Sequence, residues 1–434
     1  MSRYQLAYDT NTVGIEIPDH NVNYAGVGSK YNGYGDNRAT LYNALQNPVG
    51  TRLREMAAGK NLALLLYDAA RKIPLDDVLS VMFPELLTAR NITIFLATGT
   101  HDSNTPANKA IVVKVQQAAK DYNLPLEEIV IHDCHGKNFL FCGQTPTWRN
   151  PIYINGKISK ADVFLVFSDM KYHYFAGYSN ALKNFFPGLA RIDAIERNHA
   201  LAMNQKSTYG FHPLHPKHGR RDNPLALDIW EAYKLLVADR PVFTLNIISS
   251  GEEILWANSG LLEQVLPAGI EQVDRLMSIE VEPADRSIVS CGGYPNDESL
   301  YMAQRALELT KSGVNRGGRI LLVAGCKNGI GPQRSIENFY NPLTKPIKDI
   351  LAEYQHKPYI MYAHKTFKFA QLIASMQEIL LYSDLPDEIV EKIHLRPVHN
   401  IQEQVDRWLA SQPDLRINIF GEGSKIAVQP KQVK

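Results

Sequence analysis

The sequence has few cysteines, almost no net charge and no long apolar run. Its four cysteines lie far apart and form no Cys-x-x-Cys pair, which argues against a disulfide framework or a zinc knuckle. The formal net charge of +1 gives no extended field for nucleic acid or an acidic membrane. No apolar run reaches the roughly 18 to 20 residues of a membrane-spanning helix, and the first residues lack a signal-peptide pattern. We therefore expect a cytoplasmic protein without nucleic-acid or membrane partners.

The composition and the periodicity of the chain predict a two-domain α/β fold. Apolar residues make up 45% of the 434 residues, which is typical of globular proteins, and the chain is too long for one core. Short apolar runs alternate with longer amphipathic stretches, which predicts mainly parallel sheets with crossover helices. We predict an N-terminal domain over 1–272, a C-terminal domain over 273–411, and a tail over 412–434 that packs back on the first domain. The predicted hinge is 267–274.

The apolar runs and the amphipathic stretches also predict individual elements. Strands are predicted over 61–67, 92–97, 129–133, 163–168, 319–324, 359–362, 379–382 and 416–420. Helices are predicted over 75–89, 107–122, 224–237, 300–311, 366–376 and 401–410. The segment 211–224, with three histidines among prolines, glycines and lysines, is predicted to be an irregular surface loop.

Site-like polar residues follow several of the predicted strands. Asp68 and Arg71 follow the first strand, His101 follows the second, and His173 with Lys183 follows the fourth. In open α/β sheets, functional groups gather beyond the carboxyl ends of the strands. Taken singly, these residues are equally consistent with a solvated ion pair, a tight turn or a surface lysine. Their recurrence at successive strand ends favours a shared site.

The same residues resemble motifs of the nickel-pincer lactate racemase family in order and spacing. The resemblance extends from about residue 24 to residue 382. It is supported by Pro48-Val49-Gly50, Phe186-Pro187-Gly188, Asn223-Pro224 and Gly292-Gly293-Tyr294-Pro295. The central matches are Asp68-x-x-Arg71, Ala97-Thr98-Gly99-Thr100-His101, His173 with Lys183 ten residues later, and His199.

The resemblance implies a nickel cofactor held by two of these residues. Lys183 would tether the pincer nucleotide, a pyridinium-3-thioamide-5-thiocarboxylic acid mononucleotide, and His199 would bind the nickel. A pincer that supplies three in-plane ligands leaves one position for imidazole, and square-planar coordination suits divalent nickel. Lysine must lose its charge to form the tether, which a dry site favours. Cofactor-biosynthesis proteins would be transient partners.

The resemblance also implies the reaction, which is inversion of a 2-hydroxy acid in the cleft between the two domains. His101 and His173 would be the acid/base pair, one for each configuration. Loss of the hydroxyl proton together with hydride from Cα gives a planar keto acid and avoids a carbanion. The other implied site residues are Asp68 and Arg71 as catalytic groups, Ser179, Thr98, Gly99 and Thr100 at the cofactor, and Arg71, Tyr294, Tyr301 and Arg305 at the substrate.

Departures from the family pattern indicate a substrate other than lactate. Lactate racemase has Tyr-Gln-x-x-Lys where this chain reads Tyr301-Met302-Ala303-Gln304-Arg305. Asn180-Ala181 replaces the usual Gly-Gly, Asp102 replaces an arginine, and His364-Lys365 and Lys368 lie where an aromatic residue is used. We therefore expect a larger or more polar 2-hydroxy acid, such as a dicarboxylate or a sugar acid.

Two other functions stay open at this point. A nicotinamide-dependent hydroxy acid dehydrogenase would need Gly-x-Gly-x-x-Gly after its first strand. The chain lacks that motif there, and the glycines of 325–331 have the wrong spacing. A non-catalytic small-molecule or cofactor-binding protein on the same fold would bind ligand without inverting it. The sequence leaves the oligomeric state undetermined.

Overall fold

The chain forms two compact units, each built around a mainly parallel sheet. The computed structural model describes residues 1–27, 35–71, 73–354, 356 and 358–431. The central unit is Tyr31–Leu276, and the terminal unit combines both chain ends, Met1–Lys30 and Met277–Lys434. The prediction of an α/β fold with mainly parallel sheets is confirmed.

The strands of the described residues are numbered in chain order. They are β1 Ser2–Tyr8, β2 Asn11–Ile17, β3 Val22–Gly26, β4 Asn61–Tyr67, β5 Asn91–Ala97, β6 Leu126–Ile131, β7 Phe139–Gln144, β8 Pro151–Asn155, β9 Val163–Asp169, β10 Lys171–His173, β11 Gly177–Ser179, β12 Val242–Ser250, β13 Glu253–Leu261, β14 Ser278–Val281, β15 Ala284–Ser290, β16 Val314–Val323, β17 Glu378–Tyr382, β18 Arg396–Pro397, β19 Ile417–Phe420 and β20 Ala427–Pro430.

The α-helices are numbered in the same way, and short 3₁₀ turns occur between them. They are α1 Asn37–Gln46, α2 Leu53–Ala57, α3 Leu75–Met82, α4 Pro106–Asp121, α5 Leu182–Phe185, α6 Ile192–Ala200, α7 Pro224–Val237, α8 Leu262–Met277, α9 Leu300–Thr310, α10 Gln333–Ser335, α11 Asn341–Leu343, α12 Ile347–Glu353, α13 Ala363–Ser375, α14 Asp387–Glu391 and α15 Ile401–Ser411.

The central unit contains a six-stranded sheet in the order β13-β12-β9-β4-β5-β6. All neighbours are parallel except the edge strand β13, which pairs antiparallel with β12. Every residue of β9 is buried, as are all but the first of β4, because helices cover both faces of a parallel sheet. This full burial explains why these strands read as continuous apolar runs in the sequence.

The terminal unit contains a second six-stranded sheet, all parallel, in the order β18-β17-β16-β15-β19-β3. The strand β3 from the start of the chain pairs with β19 near its end, and β20 pairs with β14. The prediction placed residues 1–30 in a domain over 1–272 with the tail 412–434 packed back on it; in the structure, β3 and the tail strands β19 and β20 belong to the same terminal unit. Burial patterns show that a strand is buried but do not show which sheet it joins.

Two further predictions about local structure are wrong. The predicted hinge 267–274 lies inside α8, although Pro267 occurs within the helix. The helix persists because its apolar residues recur at helical spacing; Val265, Leu266, Ile270 and Val273 are all buried. The predicted strand 359–362 is a turn before α13, where the Tyr359 hydroxyl contacts His364 Nδ1 at 2.7 Å.

Acid pH is expected to destabilise the central unit through its buried neutral histidines. Burial lowers the pKa of His132 from its ordinary 6.5 to about 4, despite the hydrogen bond between its Nε2 and Ala190 O. The folded protein binds this proton less readily than the unfolded chain. The contribution of neutral His132 to the free energy of unfolding is therefore fully present above about pH 6.5, and it is lost as the pH falls towards 4. The loss for His132 is about 3 kcal/mol.

This prediction is checked by the unfolding midpoint between pH 7.5 and 4.5. His132→Gln should show a flatter dependence on pH than the unsubstituted protein. His135→Gln, which changes an exposed histidine in the same loop, should keep the original slope. Equal slopes for His132→Gln and the unsubstituted protein would contradict the assignment.

Candidate active site

Three adjacent strands of the central sheet carry the predicted site residues at their carboxyl ends. The strands β9, β4 and β5 are neighbours in the sheet, and each runs in the same direction. Asp68 directly follows β4, the Thr98–His101 loop follows β5, and the β10–β11 hairpin follows β9. The sheet topology thus brings together residues that are about 30 to 110 positions apart in the sequence.

His101 and Asp68 form an ion-pair-like contact at the edge of this sheet. His101 Nδ1 lies 2.7 Å from Asp68 Oδ2; the histidine side chain is 60% exposed and the carboxylate only 6%. In the neutral ring, Nδ1 therefore donates to Asp68 and Nε2 carries the lone pair. Because the buried carboxylate fixes this tautomer, the ring can accept a proton at Nε2.

The loop that carries His101 is held by hydrogen bonds to backbone carbonyls of two neighbouring segments. Thr98 Oγ1 donates to His132 O over 2.6 Å, and the Gly99 amide donates to Gly188 O over 3.0 Å. Gly99 has a φ of 57°, a conformation that glycine adopts without steric cost. These contacts fix where His101 leaves the loop.

Arg71 links the end of β4 to the β10–β11 hairpin. Its guanidinium donates to Ser179 Oγ over 2.6 Å and lies 4.5 Å from the centre of the Tyr67 ring. Ser179 is buried, so the contact places a cation and a hydroxyl together beside the sheet edge. The arrangement can bind an anionic oxygen, since a planar guanidinium suits carboxylate and phosphate groups.

The hairpin presents His173 through a tight turn. The His173 Nδ1 accepts a hydrogen bond from the Ala176 amide over 3.2 Å, and its ring packs edge-to-face on Phe175 at 4.4 Å. Gly177, directly opposite His173 in the register, has a φ of 75°. A Cβ at that position would lie 1.8 Å from Phe211 O, so only glycine fits.

Lys183 and His199 lie within electrostatic range of each other. Lys183 is half-buried on α5, and His199 is on α6 with its Nδ1 3.0 Å from Ile195 O. Burial, followed by the positive charge of Lys183, lowers the pKa of His199 to about 4. His199 is therefore neutral at pH 7, with Nδ1 donating to the backbone and Nε2 carrying the lone pair.

The remaining predicted residues lie in the terminal unit. Tyr294 follows β15 and is about half exposed, while Tyr301 and Arg305 are on α9. Lys365, which the sequence singled out together with His364 and Lys368, is buried, with Nζ 3.7 Å from the Tyr301 ring centre. Burial, followed by the charge of Arg305, lowers the pKa of Lys365 to about 7.

In the predicted surface loop 211–224, only one of the three histidines is exposed. His218 is exposed, but His212 and His215 are buried. His212 Nε2 lies 3.2 Å from Asn180 Nδ2, and His215 Nε2 lies 3.1 Å from Asp274 Oδ2. The surrounding prolines and lysines predicted exposure, whereas the imidazoles turn inward to polar partners that lie far away in the sequence.

Two features of the described residues concern metals and membranes. Within the described ranges, His, Cys, Asp and Glu side chains form no group of three or more arranged to hold a metal ion. Among the helices of those ranges, none has the length and apolar character needed to cross a bilayer.

Comparison with known proteins gives concordant matches along nearly the whole chain. A family model for the lactate racemase N-terminal domain matches residues 8–210, and one for the lactate racemase C-terminal domain matches residues 279–430. The lactate racemase of Thermoanaerobacterium thermosaccharolyticum is 25% identical over 99% of this chain and 100% of that protein. The lactate racemase of Lactiplantibacillus plantarum is 25% identical over 99% of this chain and 98% of that protein.

Solved structures show the same fold. The lactate racemase apoprotein from Thermoanaerobacterium thermosaccharolyticum matches with a TM-score of 0.84 at 23% identity, over 99% of this chain and 100% of that one. A Thermotoga maritima protein matches with a TM-score of 0.63 at 14% identity, over 91% and 97% of the two chains. Because the two domain models together span most of the sequence, this chain belongs to the lactate racemase family and is a racemase, an isomerase.

Proposed function

We propose that this racemase inverts the α-carbon of a 2-hydroxy acid larger or more polar than lactate, with a nickel-pincer nucleotide tethered to Lys183. The observation that carries the proposal is the placement of Lys183 within electrostatic range of the half-buried, neutral imidazole of His199. Bringing an amine and an imidazole together away from full solvent exposure has a cost, because partial desolvation and the neighbouring positive charge disfavour the charged form of His199.

The residues present fit the cofactor. A metal-binding imidazole is neutral and donates its other ring N–H to a backbone carbonyl or a carboxylate; His199 meets both conditions through its low pKa and its contact with Ile195 O. Lys183 would hold the cofactor through an amide bond, and His199 would bind nickel. When bound, the group supplies a reversible acceptor for the α-hydrogen as hydride.

His101 is the proposed base for the substrate hydroxyl. With Nδ1 donating to Asp68, the proton leaves the substrate oxygen for Nε2, and the buried carboxylate stabilises the imidazolium that forms. Asp68 thereby acts by fixing the tautomer and by compensating the new charge. The exposed ring can approach a ligand from solvent.

His173 is the proposed partner for the opposite configuration. Because its Nδ1 accepts the Ala176 amide, the neutral ring carries its proton on Nε2 and can donate a hydrogen bond from there to the substrate oxygen. To act as the base at Nε2, the ring must first hold its proton on Nδ1, which requires release of the Ala176 contact. Arg71 and Ser179, already in contact, are proposed to bind anionic oxygens of the cofactor or the substrate. The backbone of Thr98, Gly99 and Thr100 is proposed to border the cofactor.

Tyr294, Tyr301 and Arg305 remain predicted substrate ligands. The choice of a polar or dicarboxylic substrate is supported by two basic side chains in the terminal unit, Arg305 and the buried Lys365; the lowered pKa of Lys365, about 7, leaves it partly charged at neutral pH, and a nearby anion would favour its charged form. A guanidinium binds one carboxylate through two parallel hydrogen bonds, and a second cation favours a second anionic group.

The proposal is tested with protein loaded with cofactor by the biosynthetic enzymes. Single enantiomers of malate, 2-hydroxyglutarate, gluconate and lactate are each incubated with the loaded protein, and the product is resolved by chiral chromatography. We expect inversion of a dicarboxylate or a sugar acid at least about tenfold faster than inversion of lactate, a difference of about 1.4 kcal/mol. Lactate as the best substrate would overturn the substrate class.

The same experiment separates the competing functions. Bound ligand without inversion would identify a binding protein. Oxidation of the hydroxy acid that requires an added nicotinamide dinucleotide would identify a dehydrogenase. Intact mass and nickel content, measured on the same sample, establish whether the cofactor was attached.

A further inference from the structure

Asp274, on the last turn of α8, is the acceptor for four side chains of the central unit. The hydroxyls of Tyr172 and Tyr178 donate to its Oδ1 over 2.6 and 2.5 Å. His215 Nε2 lies 3.1 Å from Oδ2, and the Arg220 guanidinium donates to the same oxygen. The carboxylate is 16% exposed. With both oxygens engaged from three different segments, this side chain is held in one orientation.

The two tyrosines occupy one face of the β10–β11 hairpin. Tyr172 pairs directly with Tyr178 in the register, and their rings stack at 5.2 Å with an interplanar angle of 28°. Neighbouring residues of a strand point to opposite faces. His173, next to Tyr172, and Ser179, next to Tyr178, therefore belong to the other face. One face of the hairpin is fastened to Asp274, and the opposite face carries two proposed site residues.

Charge and burial show that this fastening is strong. Burial alone would raise the pKa of Asp274, but hydrogen bonds from His215, Tyr172 and Tyr178 and the charge of Arg220 hold it below its ordinary value. Burial and the carboxylate raise the pKa of Tyr172 above its usual range, so the hydroxyl remains a donor. Hydrogen bonds to an ionised acceptor are about twice as strong as neutral ones.

The hairpin is short, and the contacts to Asp274 act together with hydrogen bonds to its backbone: Asn223 Nδ2 donates to Phe175 O over 3.0 Å, and the Gly210 amide donates to Gly177 O over 3.3 Å. Its strands are three residues long, and it forms a two-stranded sheet of its own, separate from the six-stranded sheet. An isolated two-stranded hairpin is marginally stable in water. On the opposite face, Arg71 donates to Ser179. The contacts of Tyr172 and Tyr178 with Asp274 tie both strands of the hairpin to α8, and so help to fix the position of His173.

We infer that Asp274 is a positioning residue, which holds the β10–β11 hairpin so that His173 meets the substrate in register with His101. This inference rests on the proposed function for the role of His173, but the anchoring itself does not depend on it. Displacement of a catalytic group by about 1 Å can cost on the order of a hundredfold in rate. Asp274 would thus act on turnover without contacting the substrate.

The test uses Asp274→Asn and the pair Tyr172→Phe and Tyr178→Phe. Asparagine matches the shape of aspartate, but its amide nitrogen is a donor facing the donors of Arg220 and the tyrosines. The phenylalanine variants remove one hydroxyl each and preserve the stacked rings. Tyr233→Phe is the matched control, because Tyr233 is equally buried in the same unit, on α7, and outside this network.

The first readout is amide hydrogen exchange of residues 171–179 in the protein without cofactor. We expect exchange at least about tenfold faster in Asp274→Asn and in the double tyrosine variant, with the rest of the central sheet unchanged. Because both hydroxyls bind the same oxygen, adding Tyr178→Phe to Asp274→Asn should produce little further change. Tyr233→Phe should leave the exchange of this segment unaltered.

The second readout is kinetic, on loaded protein. We expect kcat to fall about 10- to 100-fold in Asp274→Asn, with KM changing less than threefold and the mass increment on Lys183 unchanged. Unaltered hairpin exchange in the variants, or a loss of kcat matched by Tyr233→Phe, would overturn the inference. Failure of the unsubstituted loaded protein to invert any hydroxy acid would instead overturn the proposed function, and the exchange result would still decide the anchoring.

Discussion

Replacement of Lys183 by alanine is expected to yield a folded protein that carries no cofactor and shows no inversion above background. The amine is the only group of the proposed site that forms a covalent bond to the nucleotide, so its loss removes the tether and the hydride acceptor together. Lys183→Arg should behave in the same way, because a guanidinium stays protonated and cannot form the amide. Intact mass and nickel content after loading check the result directly.

The control for this prediction is Lys114→Ala, which removes an exposed lysine of α4 in the same unit. It should load to the same extent as the unsubstituted protein. The unfolding midpoint of Lys183→Ala should stay near that of the unloaded parent, since Lys183 is only half-buried. Full cofactor attachment in Lys183→Ala would refute the tether and redirect the search to other amines.

Substitution of either proposed acid/base histidine is the second large effect. His101→Ala and His173→Ala should each lower turnover by at least about two orders of magnitude while leaving the mass increment on Lys183 intact. Each ring serves one configuration of the α-carbon, and inversion needs both. Where the substrate and product are enantiomers, the kcat/KM values of the two directions must fall together, because their equilibrium constant is one.

Asp68→Asn distinguishes the role of the carboxylate from that of the ring. The amide can still contact His101 Nδ1, but it permits the wrong tautomer and offers no charge to the imidazolium. We expect a fall in kcat of about 10- to 100-fold, smaller than for His101→Ala. A variant of Asp68 with full activity would show that the 2.7 Å contact is structural.

The sequence was informative where burial is local and uninformative where pairing is distant. Strands β4, β5 and β9 were predictable because each is buried on both faces and reads as an apolar run. The pairing of β3 with β19 was not predictable, because it joins residues nearly 400 positions apart and gives neither segment a recognisable sequence pattern. The order of the strands in the terminal sheet is set by such contacts between distant segments, which composition does not encode.

The site shows the same division. Of the proposed site residues, His101, His173, Lys183 and His199 stood out in the sequence through their spacing and their positions after predicted strands. Asp274 was not, because it lies beside Arg275 on an amphipathic helix, where a charged pair is typical of a solvated face. His215 was hidden for a similar reason, among the prolines and lysines of its loop. Buried polar contacts between distant segments have no periodic signature.

The pairing of β3 with β19 has a consequence for how the protein is made. All strands of the central sheet are contiguous in the chain, so that unit is complete once residue 276 has been synthesised. By contrast, β3 waits for a partner that begins at Ile417, a delay of about 20 to 80 s at 5–20 residues per second. The unit that bears Lys183 can therefore fold on the ribosome first, while β3, one of the earliest segments to emerge, is among the last to pair.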